Sequence, residues 1–493
     1  MKEMNIEQVA KATKGRIIYN DLAKDLSTTT ISSVSTNSKD LEQGALFVPI
    51  VGERVDAHDF IEDAKRNGAK VCLTSRDDIY HKDIICIKVD DTLKALQDLA
   101  TYYRSQFPIP VIGITGSVGK TTTKEMVSSA LSTKYRVLKT LGNMNSQVGL
   151  PLMMFKIEED HELAVIEMGI SEEGEMDRLV KIAKPDVAIV TNIGISHIAL
   201  LKTQENIRKE KLKIINEFSK GSRLFINGND PLLRDLVDYK ALVMDKDSSC
   251  NNDEIDLDET TRDKIISNPI ISFGTNERNT YSAKNVRVDS GKTYFTLVNS
   301  ISACEEEIVL NVLGEHNINN ALCAIAVAEF YNIDAAVAKK GLEDYRPISM
   351  RGEIKEVASI TIIDDTYNAS PDSMKSGINV LLSTNNSNRK IAVLADVLEL
   401  GSLSEGAHYQ VGEYIASKHI DEVITIGKEA RHIASGVNAN NKDIITHSFD
   451  NNEQAIGYLD NTLRPGDALL VKGSRGMKTE EIVNYFICKY KED

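Results

Sequence analysis

Nine residues, Gly113-Ile-Thr-Gly-Ser-Val-Gly-Lys-Thr121, constrain this chain more than any other stretch. The apolar run Val111-Ile-Gly-Ile114 leads into them, and 122–135 follows with Met126, Val127, Ala130 and Leu131 on one helical face. A strand-to-helix junction of this kind is the context a phosphate-binding loop requires. Glycines let backbone N–H groups converge on one concavity, the helix N-terminus favours an anion, and Lys120 supplies a compact cation for β- and γ-phosphates. Gly116, Ser117, Val118, Gly119, Lys120, Thr121 and Thr122 are therefore the expected nucleotide-binding residues, with the Thr121 hydroxyl on Mg2+. A tight glycine turn beside an exposed lysine is the plainer reading of the glycines alone; Gly-Lys-Thr at this junction overrides it. The loop is a variant, because the pattern GxxxxGK[ST] asks for glycine where this chain has Ile114.

Phosphoryl chemistry needs further metal ligands, and open α/β sheets gather them at the carboxyl ends of neighbouring strands. Glu167 follows Leu163-Ala-Val-Ile166, and His197 lies just beyond the run 187–194. Each alone reads as a loop residue or a cap. Together, after two strands that follow a phosphate loop, they point to metal coordination. The stretch Ile207-Arg-Lys-Glu-Lys-Leu-Lys213 reads from composition as a solvated basic helix face, with nothing to single out one lysine.

At roughly 150 residues per domain, 493 residues predict about three domains. Strand-like runs at 45–51, 70–73 and 84–89, with helical stretches at 58–67 and 92–104, make a small α/β domain over 1–106. Two prolines in 105–110 suit a linker. Over 107–345, the runs 163–167, 187–192 and 223–226 read as buried parallel strands of a doubly wound, P-loop ATPase-like sheet. The acidic, polar stretch 245–263 reads as a solvated loop. Over 346–493 a new series of apolar runs (359–365, 390–396, 422–427, 443–448, 468–472) repeats the βαβ signature. The expected fold class is α/β throughout.

Lys+Arg 58 against Asp+Glu 73 leaves a net charge of −15, which speaks against nucleic acid or an anionic membrane as the main partner. Six scattered cysteines without a CxxC pair suggest neither a zinc ribbon nor a disulfide framework, so reduced thiols in a cytoplasmic protein are expected. No apolar h-region opens the chain and no apolar run approaches the ~18 residues that span a bilayer, so it is expected to be neither exported nor embedded.

Taken together, the segments TGSVGKTTTKEM (115–126), GNMNSQVGLPL (142–152), IEMGISEEGEM (166–176), GEHNINNALCA (314–324), MRGE (350–353), IDDTYNASPDSM (363–374), LADVLELG (394–401) and VKGSRGM (471–477) resemble the Mur ligase family over nearly the whole chain. The last segments resemble in particular the member that adds D-alanyl-D-alanine to UDP-N-acetylmuramoyl-tripeptide in peptidoglycan precursor synthesis. The alternative is another Mur-type ligase that adds a single amino acid. The resemblance implies an ATP-dependent amide ligase working through an acyl phosphate, with a UDP-substrate domain (1–106), a central ATP-binding domain (107–345) and a C-terminal Rossmann-like lid (346–493). A monomer is expected.

Residue by residue, the resemblance implies that Lys120 and Thr121 hold phosphates and the first Mg2+, and that Glu167 and His197 are further metal ligands. Lys211 matches the lysine that is carbamylated in many members, a change that turns a cation into a carboxylate-like ligand. Asn317 and Asn320 match adenine-pocket positions, Asp365 the carboxylate on the ribose, and Arg351 an arginine approaching the phosphates. Without the family, Asn320 and Asp365 read as caps. Ser35, Thr36 and Asn37 match the uridine-substrate segment, as does GERVDAHDF (52–60); Asn37, Lys39 and Ala45 depart from its usual Asp, Arg and Asp. Asn143 and Asn145 match a loop that contacts the substrate peptide, though each also suits a turn.

Overall fold

Apolar runs without polar alternation become strands covered on both faces. Val111–Thr115, Leu163–Glu167, Val187–Val190, Glu422–Ile426 and Ala468–Lys472 are buried at every position. The computed structural model describes residues 1–18, 28–77, 83–244, 256–384 and 387–491. Packing divides the chain into two compact units, one made of Met1–Thr115, Lys134–Ile189 and Lys213–Arg223, the other of Gly116–Thr133, Val190–Leu212 and Leu224–Asp493.

The first unit opens with a five-stranded sheet built from Arg16–Ile18, Ile85–Lys88, Ala69–Thr74, Ala45–Phe47 and Val34–Ser35, in that order. Its expected α/β character is observed. The 58–67 stretch is a 3-10 turn, Ala57–Phe60, running into the helix Ile61–Arg66, and Thr92–Arg104 is the helix expected there. Later in this unit Leu163–Glu167 pairs in parallel with Val111–Thr115 and with Val137–Lys139, which sets Glu167 opposite Ile114 at the carboxyl end. Ile114, the departure from the loop pattern, is a fully buried strand residue.

In the second unit the phosphate-loop helix Lys120–Leu131 packs against Glu315–Phe330 and Ala335–Glu343. Arg223–Asn227 and Ile270–Phe273 run parallel. An antiparallel extension then follows, Tyr281–Asp289, Lys292–Asn299 and Cys304–Leu310. The parallel reading of 107–345 did not foresee it, although Lys292–Asn299 alternates buried and half-exposed positions as a strand with one wet face does. The expected loop 245–263 is corrected in part: Asp258 caps a helix, Glu259–Ser267, by accepting from Thr261 N, while 245–255 lies outside the described residues. Thr261 and Ile265 bury one side of that helix.

The rest of this unit is a six-stranded sheet in the order Glu353–Val357, Ile360–Asp364, Ala468–Lys472, Lys390–Ala395, Glu422–Ile426, Ile445–Phe449, parallel except at the first pair. The chain's return to Ala468–Lys472, between two earlier strands, creates the reversal of strand order at which α/β sheets bind ligands. Ser370, Pro371 and Ser373 start the next helix, Pro371–Leu382, with a reciprocal capping box and proline in its first turn.

Among the described residues no helix is long and apolar enough to cross a membrane. Cys72 and Cys86 face each other on neighbouring strands of the first unit with Sγ atoms 3.3 Å apart, an adjacency their spacing did not reveal.

Candidate active site

Two glycines shape the loop of the second unit. Gly116 has φ +149°, and a Cβ there would lie 1.9 Å from Thr191 Oγ1; Gly119, at φ +86°, precedes the first turn of Lys120–Leu131. Residues that the motif does not contain hold the loop in place. Asn192 Oδ1 accepts from Val118 N (2.8 Å), Asn192 O accepts from Ser117 N (3.1 Å), Thr191 Oγ1 donates to Val118 O (2.6 Å), and Gly194 N donates to Ser117 Oγ (2.9 Å). Lys120 Nζ donates back to Gly116 O at 2.7 Å, and Thr121 is buried. Thr122 shares a side-chain hydrogen bond with Tyr345.

Lys211 sits on the helix Gln204–Leu212, and here the composition-based reading of 207–213 is corrected. Ile207, Arg208, Glu210, Lys211 and Leu212 are buried, so this face is interior and only part of the stretch is solvated. Lys211 is 2% exposed and makes no hydrogen bond or ion pair among the described residues. Burial, and then the charge of Lys120, hold its pKa well below the ordinary lysine value against the opposing pull of Glu210. Burial therefore shifts this amine toward its uncharged form.

His197 lies on the loop between Val187–Val190 and Gln204–Leu212, with φ +61°. Its Nδ1 is 2.8 Å from Glu399 Oε2, and no hydrogen bond reaches Nε2 among the described residues. Burial lowers its pKa; Glu399 opposes this, while Lys211 and Lys120 push the same way as burial. Burial favours the neutral imidazole, and a carboxylate at Nδ1 favours the tautomer whose Nε2 lone pair is free to meet a metal.

Asn317 and Asn320 are buried in the first turns of Glu315–Phe330, inside the helix and not capping it. Asn320 Oδ1 accepts from Thr123 Oγ1 (3.0 Å), tying this helix to the one that starts at the phosphate loop, and Asn317 Nδ2 donates to Leu313 O (2.7 Å). Asp365 follows strand Ile360–Asp364 and pairs with the buried Lys472, whose Nζ lies 2.6 Å from Asp365 Oδ2 and also donates to Asn368 O (2.9 Å). The Arg351 guanidinium lies 3.8 Å from the centre of the Tyr367 ring. Asn192, Glu399 and Lys472 were not singled out from sequence, although Glu399 and Lys472 stand inside LADVLELG and VKGSRGM.

The remaining expected residues belong to the first unit. Glu167 is 1% exposed; its backbone N donates to Thr140 Oγ1 (2.8 Å), and Asn145 Nδ2 donates to Glu167 Oε2 (3.2 Å). Asn143 is exposed and its carbonyl accepts from Asn145 N. Ser35 and Asn37 form a turn in which Asn37 N donates to Ser35 Oγ (3.0 Å) and Asn37 Oδ1 accepts from Lys39 N (3.0 Å); Thr36 is half-buried between them. Here Asn performs the turn chemistry that Asp would.

Among the described residues no three His, Cys, Asp or Glu side chains cluster tightly enough to hold a metal by themselves. Within the second unit the Thr121 hydroxyl and the His197 ring could each offer one ligand, a sparse set that suits Mg2+ bound mainly through water and nucleotide phosphates.

Three family profiles match: the Mur ligase family catalytic domain over 30–104, the Mur ligase middle domain over 114–245 and 240–328, and the Mur ligase glutamate ligase domain over 350–475. The UDP-N-acetylmuramoyl-tripeptide--D-alanyl-D-alanine ligase of Bacillus subtilis is 37% identical over 490 residues, 99% of each chain. Among solved structures, MurF from Acinetobacter baumannii superposes with a TM-score of 0.86 at 29% identity and 99% coverage of both chains. MurF ligase from Thermotoga maritima, crystallised with ADP, gives a TM-score of 0.78 at 28% identity, covering 93% of this chain and 98% of that one.

Proposed function

The chain belongs to the Mur ligase family, and on that footing we propose that it joins D-alanyl-D-alanine to UDP-N-acetylmuramoyl-tripeptide as an ATP-dependent, ADP-forming amide ligase. The observation that carries this is full-length likeness to a curated enzyme of that name, 99% of each chain, in a chain that retains Lys120, Glu167, His197 and Lys211. In this reading 1–106 takes the uridine nucleotide, 107–345 the ATP, and 346–493 closes as a Rossmann-like lid. The protein acts in the cytoplasm as a monomer.

A carboxylate is a poor electrophile; its oxygen attacks the γ-phosphorus of ATP, ADP leaves, and the dipeptide amine attacks the resulting acyl phosphate, forming the amide as it loses a proton and phosphate departs, while Mg2+, when bound, would neutralise charge on the transferred group. The chain's own residues bind and orient. Gly116, Ser117, Val118, Gly119, Lys120, Thr121 and Thr122 cradle the phosphates, and Lys120 meets the charge that develops on them. Thr121, Glu167 and His197 are the residues that would hold Mg2+, each as a single ligand. Lys211 is carbamylated: its buried amine, in the uncharged form that burial favours, attacks carbon dioxide, loses a proton and becomes an anion near Lys120 and His197. Asn317 and Asn320 border the adenine, Asp365, held by Lys472, meets the ribose, and Arg351 approaches the phosphates. Ser35, Thr36 and Asn37 contact the uridine moiety, and Asn143 and Asn145 the peptide.

Tripeptide substrate labelled with 18O in its terminal carboxylate tests the reaction. One labelled oxygen is expected in the released phosphate, and a pentapeptide product by mass spectrometry. Product formed with no label in phosphate would refute the acyl-phosphate route.

A further inference from the structure

Two segments of the 346–493 region reach the loop 192–201. Glu399 presents Oε2 to His197 Nδ1 at 2.8 Å, and its carbonyl accepts from Ala199 N at 3.4 Å. A Cβ built on Gly401 would lie 3.4 Å from Ala199 Cβ, and one built on Gly194 would lie 2.7 Å from Asp372 Oδ2. The two residues of this contact also share an uncommon backbone state. His197 has φ +61° and Glu399 φ +64°, the left-handed region that side chains other than glycine, Asn and Asp rarely occupy. Such conformations persist where the surroundings over-determine them, and they gather at functional sites.

The pair does little for the fold. The Glu399 side chain is 65% exposed and the His197 side chain 32%, and a carboxylate contact that wet adds little stability. What the contact does achieve is chemical. A carboxylate on Nδ1 fixes the proton there and leaves Nε2 with its lone pair, beside the two lysines that influence the ring.

Resting on the reading of His197 as a metal ligand, we propose that Glu399 is the positioning residue that completes it, and that it does so from the C-terminal region. The ligating tautomer of His197 is therefore set only when the 397–401 segment is seated on the 192–201 loop. This makes a metal ligand of the ATP-binding region conditional on the seating of a different part of the chain.

The test uses the full chain loaded with ADP and titrated with Mn2+, free Mn2+ being read by electron paramagnetic resonance. Glu399→Ala is expected to weaken Mn2+ binding by about 10–100-fold, the usual effect of losing a carboxylate behind a metal-bound histidine. Glu399→Gln keeps an acceptor for Nδ1–H and is expected to bind within a few-fold of wild type. The thermal midpoint without metal should be unchanged in both, which a merely structural role would not predict. Equal Mn2+ affinity for wild type and Glu399→Ala, with His197→Ala clearly weakened, would overturn the Glu399 proposal alone. Unchanged affinity in His197→Ala would instead overturn the ligand assignment on which it rests.

Discussion

Two histidines in this chain begin alike and end in different chemistry. His58, in the first unit, has Nδ1 2.6 Å from Asp56 Oδ1; His197, in the second, has Nδ1 2.8 Å from Glu399 Oε2. The difference lies at the other nitrogen. His58 Nε2 accepts from Ser75 N at 3.0 Å, and the ring is 3% exposed, so both of its nitrogens are spent on holding the 52–60 loop against the strand end at Ser75. His197 keeps Nε2 open beside Lys120 and Lys211. On the proposed reading, a carboxylate behind an imidazole is a brace at His58 and a tuning group at His197, and the second nitrogen is what separates them.

The largest way to sharpen this contrast is to remove the buried lysine that neighbours only one of the two rings. Lys211→Ala should abolish turnover while leaving ADP binding, measured by calorimetry, close to wild type. Retained activity would show that nothing at that position is used. Next comes the pair itself. His197→Ala should lower kcat on the order of 10²–10³-fold, the scale of losing one preorganised charge-stabilising group, with an unchanged thermal midpoint. His58→Ala should do the reverse, costing about 1–3 kcal/mol of stability by orphaning Ser75 N, while kcat holds. If both variants lose only stability, the two histidines are the same kind of residue and the contrast fails.

A smaller effect is expected at Lys472. Lys472→Met leaves Asp365 without its buried partner and should raise KM for ATP about tenfold, consistent with losing a charged hydrogen bond, with kcat less affected. The smallest is a pH effect on the brace. Burial raises the Asp56 carboxyl, but hydrogen bonds from the His58 backbone and ring and from Arg76 outweigh it and hold its pKa at about 2. Because that lies below the unfolded value of about 3.9, the stabilisation is complete above roughly pH 4 and lost as pH falls through about 2. The thermal midpoints of wild type and Asp56→Asn should therefore differ at neutral pH and converge between pH 4 and 2; a constant gap would show that the charge on Asp56 is not what stabilises the loop.

What the sequence revealed of all this follows the range of the interactions. The phosphate loop was legible because glycine, lysine and threonine do their work within nine consecutive residues at a strand-to-helix junction. The parallel strands were legible because Leu163–Glu167 or Ala468–Lys472 is apolar from end to end. The hairpins over 281–310 were not, because Lys292–Asn299 alternates only weakly in hydropathy and the doubly wound reading of 107–345 had no antiparallel edge. Lys211 was invisible to composition, since burial of one lysine among four basic residues depends on which helix face meets the interior. Lys472 and Asp365 are 107 residues apart in sequence, and Glu399 lies 202 positions after His197; neither distance leaves a local pattern. The two roles of the histidines were equally hidden, because DAH and a lone His after a strand carry no record of what the second nitrogen meets.

The central claim is that this site activates a carboxylate for a dipeptide amine, and substrate dependence of ADP release tests it most directly. Purified protein is predicted to release ADP and phosphate only when UDP-N-acetylmuramoyl-tripeptide and D-alanyl-D-alanine are both present. Equal release with a single free amino acid in place of the dipeptide would contradict the account.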